Sequence, residues 1–450
     1  MLSFLLLFLA IVLIILLTSR FQWHPFVALL VVSLAYGFAT GLSTDQLIQS
    51  LQEGFGATLG SIGMIIVAGL IIGTFIEESG GAHVIADFFV KIFGAKRIHW
   101  AIGCVGYLIS IPVFADSGFV ILTPLNKALT RKLGVSLAGT AIALGIGLTA
   151  AHTMVPPTPG PIAAAAIIEA DLGWVILFGL ITSGMGLVVG IPFAKKMGTK
   201  IYIEPDALTP SEGIPSKDTL PSLTRTLLPI LIPIVLIVCK AVVQFPGFPV
   251  SEGAGVTLIK FVGTPIIALL IGVFLALRIP KRWDSKQLSE SGWVGKAIKG
   301  SATILLITAA GGAFGKVIQA SGVHHSVEPL LTSLPLGIAL PFLIAALIKT
   351  AQGSSTVALV TTASIVYPML AALELTSTID KALVVVAIGA GATVISHAND
   401  SFFWVVTQFS NMTVPQGYRL HSMATLLLGL TALVTLCILK AGINLLTFSI

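Results

Sequence analysis

His152-Thr153-Met154-Val155-Pro156-Pro157-Thr158-Pro159-Gly160-Pro161 lies inside an otherwise apolar stretch covering residues 138–170. Proline lacks a backbone N–H and fixes φ, so four prolines between 156 and 161 end any helix that reaches them. The flanking residues are as apolar as a membrane span, which places the break at membrane depth. Lipid cannot hydrogen-bond the freed backbone there; only surrounding protein or a water-filled cavity can. The stretch therefore predicts an all-α integral membrane protein with an internal site.

Composition points the same way. Of 450 residues, 56% are hydrophobic and 10% charged, and the mean hydropathy is +1.02. A soluble domain carries about 25% charged residues, so too few are present to coat a globule of this size. The 45 glycines and 23 prolines often fall inside apolar runs, where close helix packing and local breaks accommodate them. The formal charge of +6 traces to loops on one side and suggests no nucleic-acid partner. Cys104, Cys239 and Cys437 lack metal or redox spacing, and neither a metal nor a cofactor is expected. Residues 2–18 have no basic n-region and no small-residue cleavage signal, so they read as a retained first helix.

Working outward, spanning segments fall at 2–19, 24–42, 57–76, 138–170 (interrupted), 174–194, 224–243, 255–278, 299–318, 382–410 (interrupted) and 419–440. Two more apolar pieces are broken at their centres. Asp116-Ser117-Gly118 interrupts 97–133, and Gln352-Gly353-Ser354-Ser355-Thr356 interrupts 335–372. The proline-bearing stretch 196–222 reads as a cytoplasmic linker between halves at 1–195 and 223–450. Ser79-Gly80 matches Ser321-Gly322, Gly73 matches Gly315, Ala68-Gly69 matches Ala310-Gly311 and His83 matches His325, all at one offset. A broken hydrophobic piece and an interrupted helix then follow in each half, in the same order.

Charge placement sets the topology. Arg20, Lys91, Lys96, Arg97, Lys127, Arg131, Lys132, Lys195, Lys196, Lys200, Arg278, Lys281, Arg282, Lys286, Lys296 and Lys299 share one side if 97–133 is a re-entrant hairpin. The loops 42–56, 169–173, 244–254 and 319–335 on the other side hold no lysine or arginine. Basic residues mark the cytoplasmic face. Each half then makes about five crossings plus one hairpin, so the halves are inverted and both termini lie outside.

Four breaks would meet near the midplane. A carboxylate such as Asp116 in an apolar segment needs a role or a partner; it can cap the second hairpin helix, contact substrate or carry a proton. His152 and Thr153 precede the first helix break, whose fresh N-terminus suits a carboxylate. Gln352, Gly353, Ser354, Ser355 and Thr356 form a cluster of donors, with Lys349 one turn earlier to pair with Asp116 or Asp400 or to offset substrate charge. Ser396-His397-Ala398-Asn399-Asp400-Ser401 is the densest polar run in an apolar region. Ser117, Gly118, Thr158, Gly160, Asn399 and Ser401 complete the candidate binding set. Asp116, His152, His397 and Asp400 are the candidates for a coupled proton. Glu77, Glu78 and Glu374 read as solvated charges at helix ends.

These residues resemble the gluconate permease family of proton-coupled transporters, within the larger ion-transporter superfamily. The resemblance covers nearly the whole chain and rests on Pro112-Val113-Phe114-Ala115-Asp116-Ser117-Gly118-Phe119, His152 through Pro161, Ala351 through Ala358 and Ser396 through Trp404. It implies a symporter for gluconate or a related sugar acid in the bacterial inner membrane. It also implies a dimer and an elevator-like motion of hairpins and broken helices against a scaffold. Many members have histidine between the prolines where this chain has Thr158, and an acidic, small apolar and glycine run where it has Asp116-Ser117-Gly118. Members also take D-serine and shorter hydroxy acids. Rival readings are a sodium-coupled carboxylate transporter, a channel, and an intramembrane hydrolase using a serine with His397 and Asp400.

Overall fold

The computed structural model describes residues 2–205, 220–244, 253–322, 336–397 and 400–448. Most of the linker, the loop 245–252, His325 and Asn399 lie outside them. The described residues form helices and connecting turns, with no strand among them.

The first half runs α1 (Leu2–Ile15), α2 (Pro25–Ala39), α3 (Thr44–Glu78) and α4 (Gly81–Phe93). It continues with α5 (Ile98–Ser110), α6 (Ala115–Leu133), α7 (Leu137–Met154), α8 (Pro159–Ile168) and α9 (Leu172–Lys200). The second half has α10 (Leu223–Val243), α11 (Ala254–Val262), α12 (Pro265–Ala276), α13 (Trp293–Ala320) and α14 (Ala339–Gln352). Then come α15 (Ser355–Val366), α16 (Thr378–Gly391), α17 (Ser401–Phe409) and α18 (Met423–Phe448). Among the described residues five helical stretches are long and apolar enough to cross a membrane, or seven if two bent pairs each count as one.

Three boundaries differ from the sequence expectation. The span at 57–76 belongs to the longer α3, which starts at Thr44 because Ser43 and Gln46 form a reciprocal capping box. The span at 255–278 is two helices bent by 72°. Thr264, which precedes Pro265, is extended with ψ at 128°, since proline disfavours the helical region for the residue before it. The linker was expected from residue 196, but α9 continues to Lys200. Beyond it, the Ser136 hydroxyl donates to the Ile201 carbonyl at 3.0 Å and accepts from the Ile203 amide at 3.1 Å.

Helices α5, α14 and α15 have 13, 14 and 12 residues. At 1.5 Å rise per residue each is roughly 20 Å long, short of a hydrocarbon core of about 30 Å. Behind these helices stand α7, rich in alanine, glycine and threonine, and α16, rich in valine, alanine and glycine, both buried nearly all round. A helix apolar on every face belongs in a core. The packing crosses between halves: α8 lies on α15, and α6 lies on α17. α13 packs along α3 and α2 and also touches α15. Both α3 and α13 end in a Ser-Gly turn, with Gly80 at φ 76° and Gly322 at φ 67°.

The end of α7 is held by backbone-to-backbone approach. A Cβ on Gly179 of α9 would lie 2.2 Å from the Met154 carbonyl oxygen, and one on Gly389 of α16 would lie 2.3 Å from that of Thr153. Only glycine lets both neighbours reach the break. Gly179→Ala and Gly389→Ala should each lower thermal stability in detergent by about 1–3 kcal/mol through overpacking. Gly184→Ala, whose Cβ meets nothing within 4 Å, is the control; identical melting of all three would refute the packing account.

Candidate functional site

At the first hairpin the chain turns through Ile111-Pro112-Val113-Phe114. Phe114 is extended, and α6 begins at Ala115. Asp116 therefore sits within the first turn of α6 and does not cap it. Its carboxylate faces a cavity and makes no ion pair or hydrogen bond among the described residues. Position in the first turn suits a negative charge, because the helix N-terminus is the positive end of the dipole.

At the second hairpin α14 ends at Gln352, Gly353 turns at φ 91°, and the Ser354 hydroxyl caps α15 by accepting from the Val357 amide. The Ser355 hydroxyl donates to the Ala392 carbonyl at 2.9 Å, which fastens this tip to the second broken helix. His397 makes another tie: its Nε2–H donates to the Thr350 carbonyl at 2.8 Å. That bond commits one ring nitrogen of His397 to the backbone.

The charged core of the site is the second break. Lys349, 1% exposed, donates from Nζ to Asp400 Oδ2 at 2.6 Å and also to the Gly353 carbonyl. Asp400 caps α17 by accepting the Phe402 amide at Oδ1, and Oδ2 accepts the Ser396 hydroxyl at 2.5 Å. Because the Ser396 hydroxyl hydrogen is engaged in its bond to Asp400, His421 Nε2–H donates to Ser396 Oγ at 3.1 Å. His421 is fully buried, and its Nδ1 has no partner among the described residues. A buried ion pair of this kind holds only when its remaining hydrogen-bonding positions are filled.

These groups surround a cavity of about 410 Å³, within the range of about 300–1,000 Å³ usual for small-molecule sites. Asp116, Lys349 and Asp400 supply its charges, and Ser354, Ser355, Thr356, Ser396 and Ser401 its hydroxyls. Thr149, His152, Thr153 and Thr393 add polar groups from α7 and the second break, while Gly353 brings backbone to the wall. Phe114, Val357 and Phe402 form apolar patches. Thr303, Ile304 and Ile307 of α13 close the remaining side. The first turns of α6, α15 and α17 all line this space. Thr149 Oγ1 and His152 Nδ1 lack partners among the described residues.

Several candidates stand elsewhere. Ser117, Gly118, Thr158, Gly160 and His397 are not among the lining residues. The Thr158 hydroxyl donates to the Val155 carbonyl, and Gly160 lets α8 approach Leu359 of α15. Pro159 and Pro161 occupy the first turn of α8 and offer no N–H, so that N-terminus is a packing element for the second hairpin. Glu77 and Glu78 pair with Lys296 at 3.3 and 2.5 Å. Thr149, Thr303, Thr393 and Ser396 were not selected from sequence. Thr149 lies one helical turn before His152 and could have been found by that spacing. Thr303 carries no local signal.

Residues 2–442 match the profile of the GntP family permease. The chain is 34% identical over 435 residues to the gluconate permease of Pseudomonas aeruginosa, covering 95% of each chain. It is 31% identical to the Gnt-II system L-idonate transporter of Escherichia coli, over 96% of this chain and 98% of the other. It is also 33% identical to the D-serine transporter DsdX of Escherichia coli K12, over 99% and 98%. Among solved structures, MtrF of Neisseria gonorrhoeae matches with a TM-score of 0.69 at 15% identity, covering 94% and 96%. YdaH of Alcanivorax borkumensis matches with 0.65 at 17%, covering 93% and 99%. Whole-chain agreement in sequence, and the same helical fold as two transporters, make this chain a multi-pass member of the GntP family of permeases.

Proposed function

We propose that this permease takes up a gluconate-type sugar acid together with a proton, by alternating access. The observation that carries the reading is a single cavity holding one ammonium, two carboxylates and a ring of neutral hydroxyls. Lys349 and the helix N-termini of α15 and α17 suit the substrate carboxylate. Thr149, Thr153, Ser354, Ser355 and Thr356 suit its hydroxyls. Gluconate and L-idonate, named for two relatives, both combine a carboxylate with several hydroxyls.

Charge balance favours a coupled cation. The Asp116 and Asp400 carboxylates already outweigh the Lys349 ammonium, and an anionic substrate adds a second uncompensated negative charge. Burying such charge at membrane depth is costly, and one proton on Asp116 or Asp400 restores the starting balance. Asp116 is the stronger candidate, because Asp400 is committed to Lys349 and Ser396. D-serine, named for another relative, is the second reading, since its ammonium would answer Asp116.

An elevator-like motion is supported by the walls. Hairpins and broken helices supply most of the cavity, while α13 supplies only one side, so the former group would carry the site past the latter. The repeated element order and the matching ends of α3 and α13 support inverted repeats with a linker at 196–222. A homodimer in the bacterial inner membrane, with both termini outside, completes the proposal.

Uptake into proteoliposomes separates the options. Labelled gluconate should accumulate under an inward proton gradient and not under a sodium gradient alone. Unlabelled sugar acids should compete at least tenfold better than D-serine; the reverse order would replace the substrate. Asp116→Asn should abolish gradient-driven accumulation and retain gluconate counterflow, whereas intact accumulation would remove the proton role. Lys349→Met leaves Asp400 buried without its cation, at a cost of roughly 3–5 kcal/mol, and should melt earlier. Lys349→Met with Asp400→Asn should recover much of that stability but remain at least about a hundredfold slower in uptake. Rapid transport by the double variant would show that neither charge meets substrate.

A further inference from the structure

Away from the central cavity, a second space of about 560 Å³ opens between the first turn of α10 and the end of α12. Arg225 stands on α10; Arg278 and Lys281 stand on the segment leaving α12. All three are exposed, and neither Arg225 nor Arg278 makes an ion pair among the described residues. Trp283, 51% exposed, stands beside them, and Leu228 and Leu275 add an apolar wall. Ser222 at the head of α10 makes no side-chain cap, so that helix also offers first-turn amides to an anion.

The surroundings identify the class of ligand. From this cluster α10 continues as an apolar helix with Leu228, Leu231 and Val235 exposed at 36%, 41% and 53%. α12 exposes Leu270 at 44% and Phe274 at 70%. Three cations at the head of a lipid-facing apolar groove match a molecule with an anionic head and hydrocarbon tails. The position fits an interface, since tryptophan favours that depth and basic residues mark the cytoplasmic leaflet. We infer that this groove is a binding site for an anionic phospholipid, its phosphate held by Arg225, Arg278 and Lys281 and its acyl chains lying along α10 and α12. This site is independent of the transported substrate.

The test uses the full chain in detergent, with lipid retention read by native mass spectrometry. The lipids are phosphatidylglycerol and phosphatidylcholine with the same acyl chains. The wild type should bind phosphatidylglycerol at least tenfold more tightly, because each basic residue at the surface contributes roughly fivefold. Arg225→Gln/Arg278→Gln/Lys281→Gln should lose that preference. Lys91→Gln/Lys96→Gln/Lys132→Gln, which removes as many exposed cations elsewhere on the same side, should keep it. If the first triple variant does not fold, Arg225→Glu alone should weaken phosphatidylglycerol at least fivefold. Equal binding of the two lipids by the wild type would overturn the site, and so would equal loss in both triple variants. Displacement of the lipid by millimolar inorganic phosphate would make it a free-anion site and overturn the assignment to lipid.

Discussion

A helix that stops inside a bilayer exposes amides and carbonyls that hydrocarbon cannot satisfy, and the architecture around α7, α16 and the two hairpins answers that requirement. Glycines of α9 and α16 pack against the carbonyls at the end of α7 and keep hydrocarbon away from them. The amides at the start of α15 and α17 are capped by Ser354 and Asp400. The turn of the second hairpin is tied down by Lys349, Ser355 and His397. Polar side chains thus do double duty, first completing the backbone and then lining a space that admits a polar ligand. The same need explains the crossed packing, in which each half covers the breaks of the other.

Electrostatics then selects among ligands. Among the described residues one lysine is buried at the site, and it is already engaged with a carboxylate and a carbonyl. An incoming anion meets hydroxyls, helix N-termini and a shared ammonium rather than a free cation, which fits a substrate with many hydroxyls and one charge.

The positions of the breaks were legible in the sequence because proline, glycine and polar runs inside apolar segments are local signals. The turns between Ser110 and Ala115 and between Gln352 and Ser355, and the interruptions near 155 and 397, are of that kind. The break at Gly263-Thr264-Pro265 is also local, but a lone proline at the first position of a helix looks like an ordinary start within an apolar run. The sequence does not choose between Asp116 and Asp400 as the partner of Lys349, because that depends on which turn of α14 faces the second break. Thr303, Ile304 and Ile307 were illegible, since nothing along α13 distinguishes the turn that faces the cavity. Thr158 and Gly160 stand close to the break in sequence, whereas the prolines around them leave the Gly160 amide as the one first-turn donor of α8.

At the head of α17, Asp400 takes three donors: an ammonium, a hydroxyl and the backbone amide that it caps. A carboxylate has about four lone-pair positions, so turning Lys349 toward a substrate would leave two of these donors in place. Under the proposed transport that handover would exchange one ligand of a buried carboxylate, with the Ser396 hydroxyl and the Phe402 amide serving as its hydration shell. A residue that keeps its shell can lend out its counter-ion repeatedly, which is the property a carrier needs and a purely structural ion pair does not.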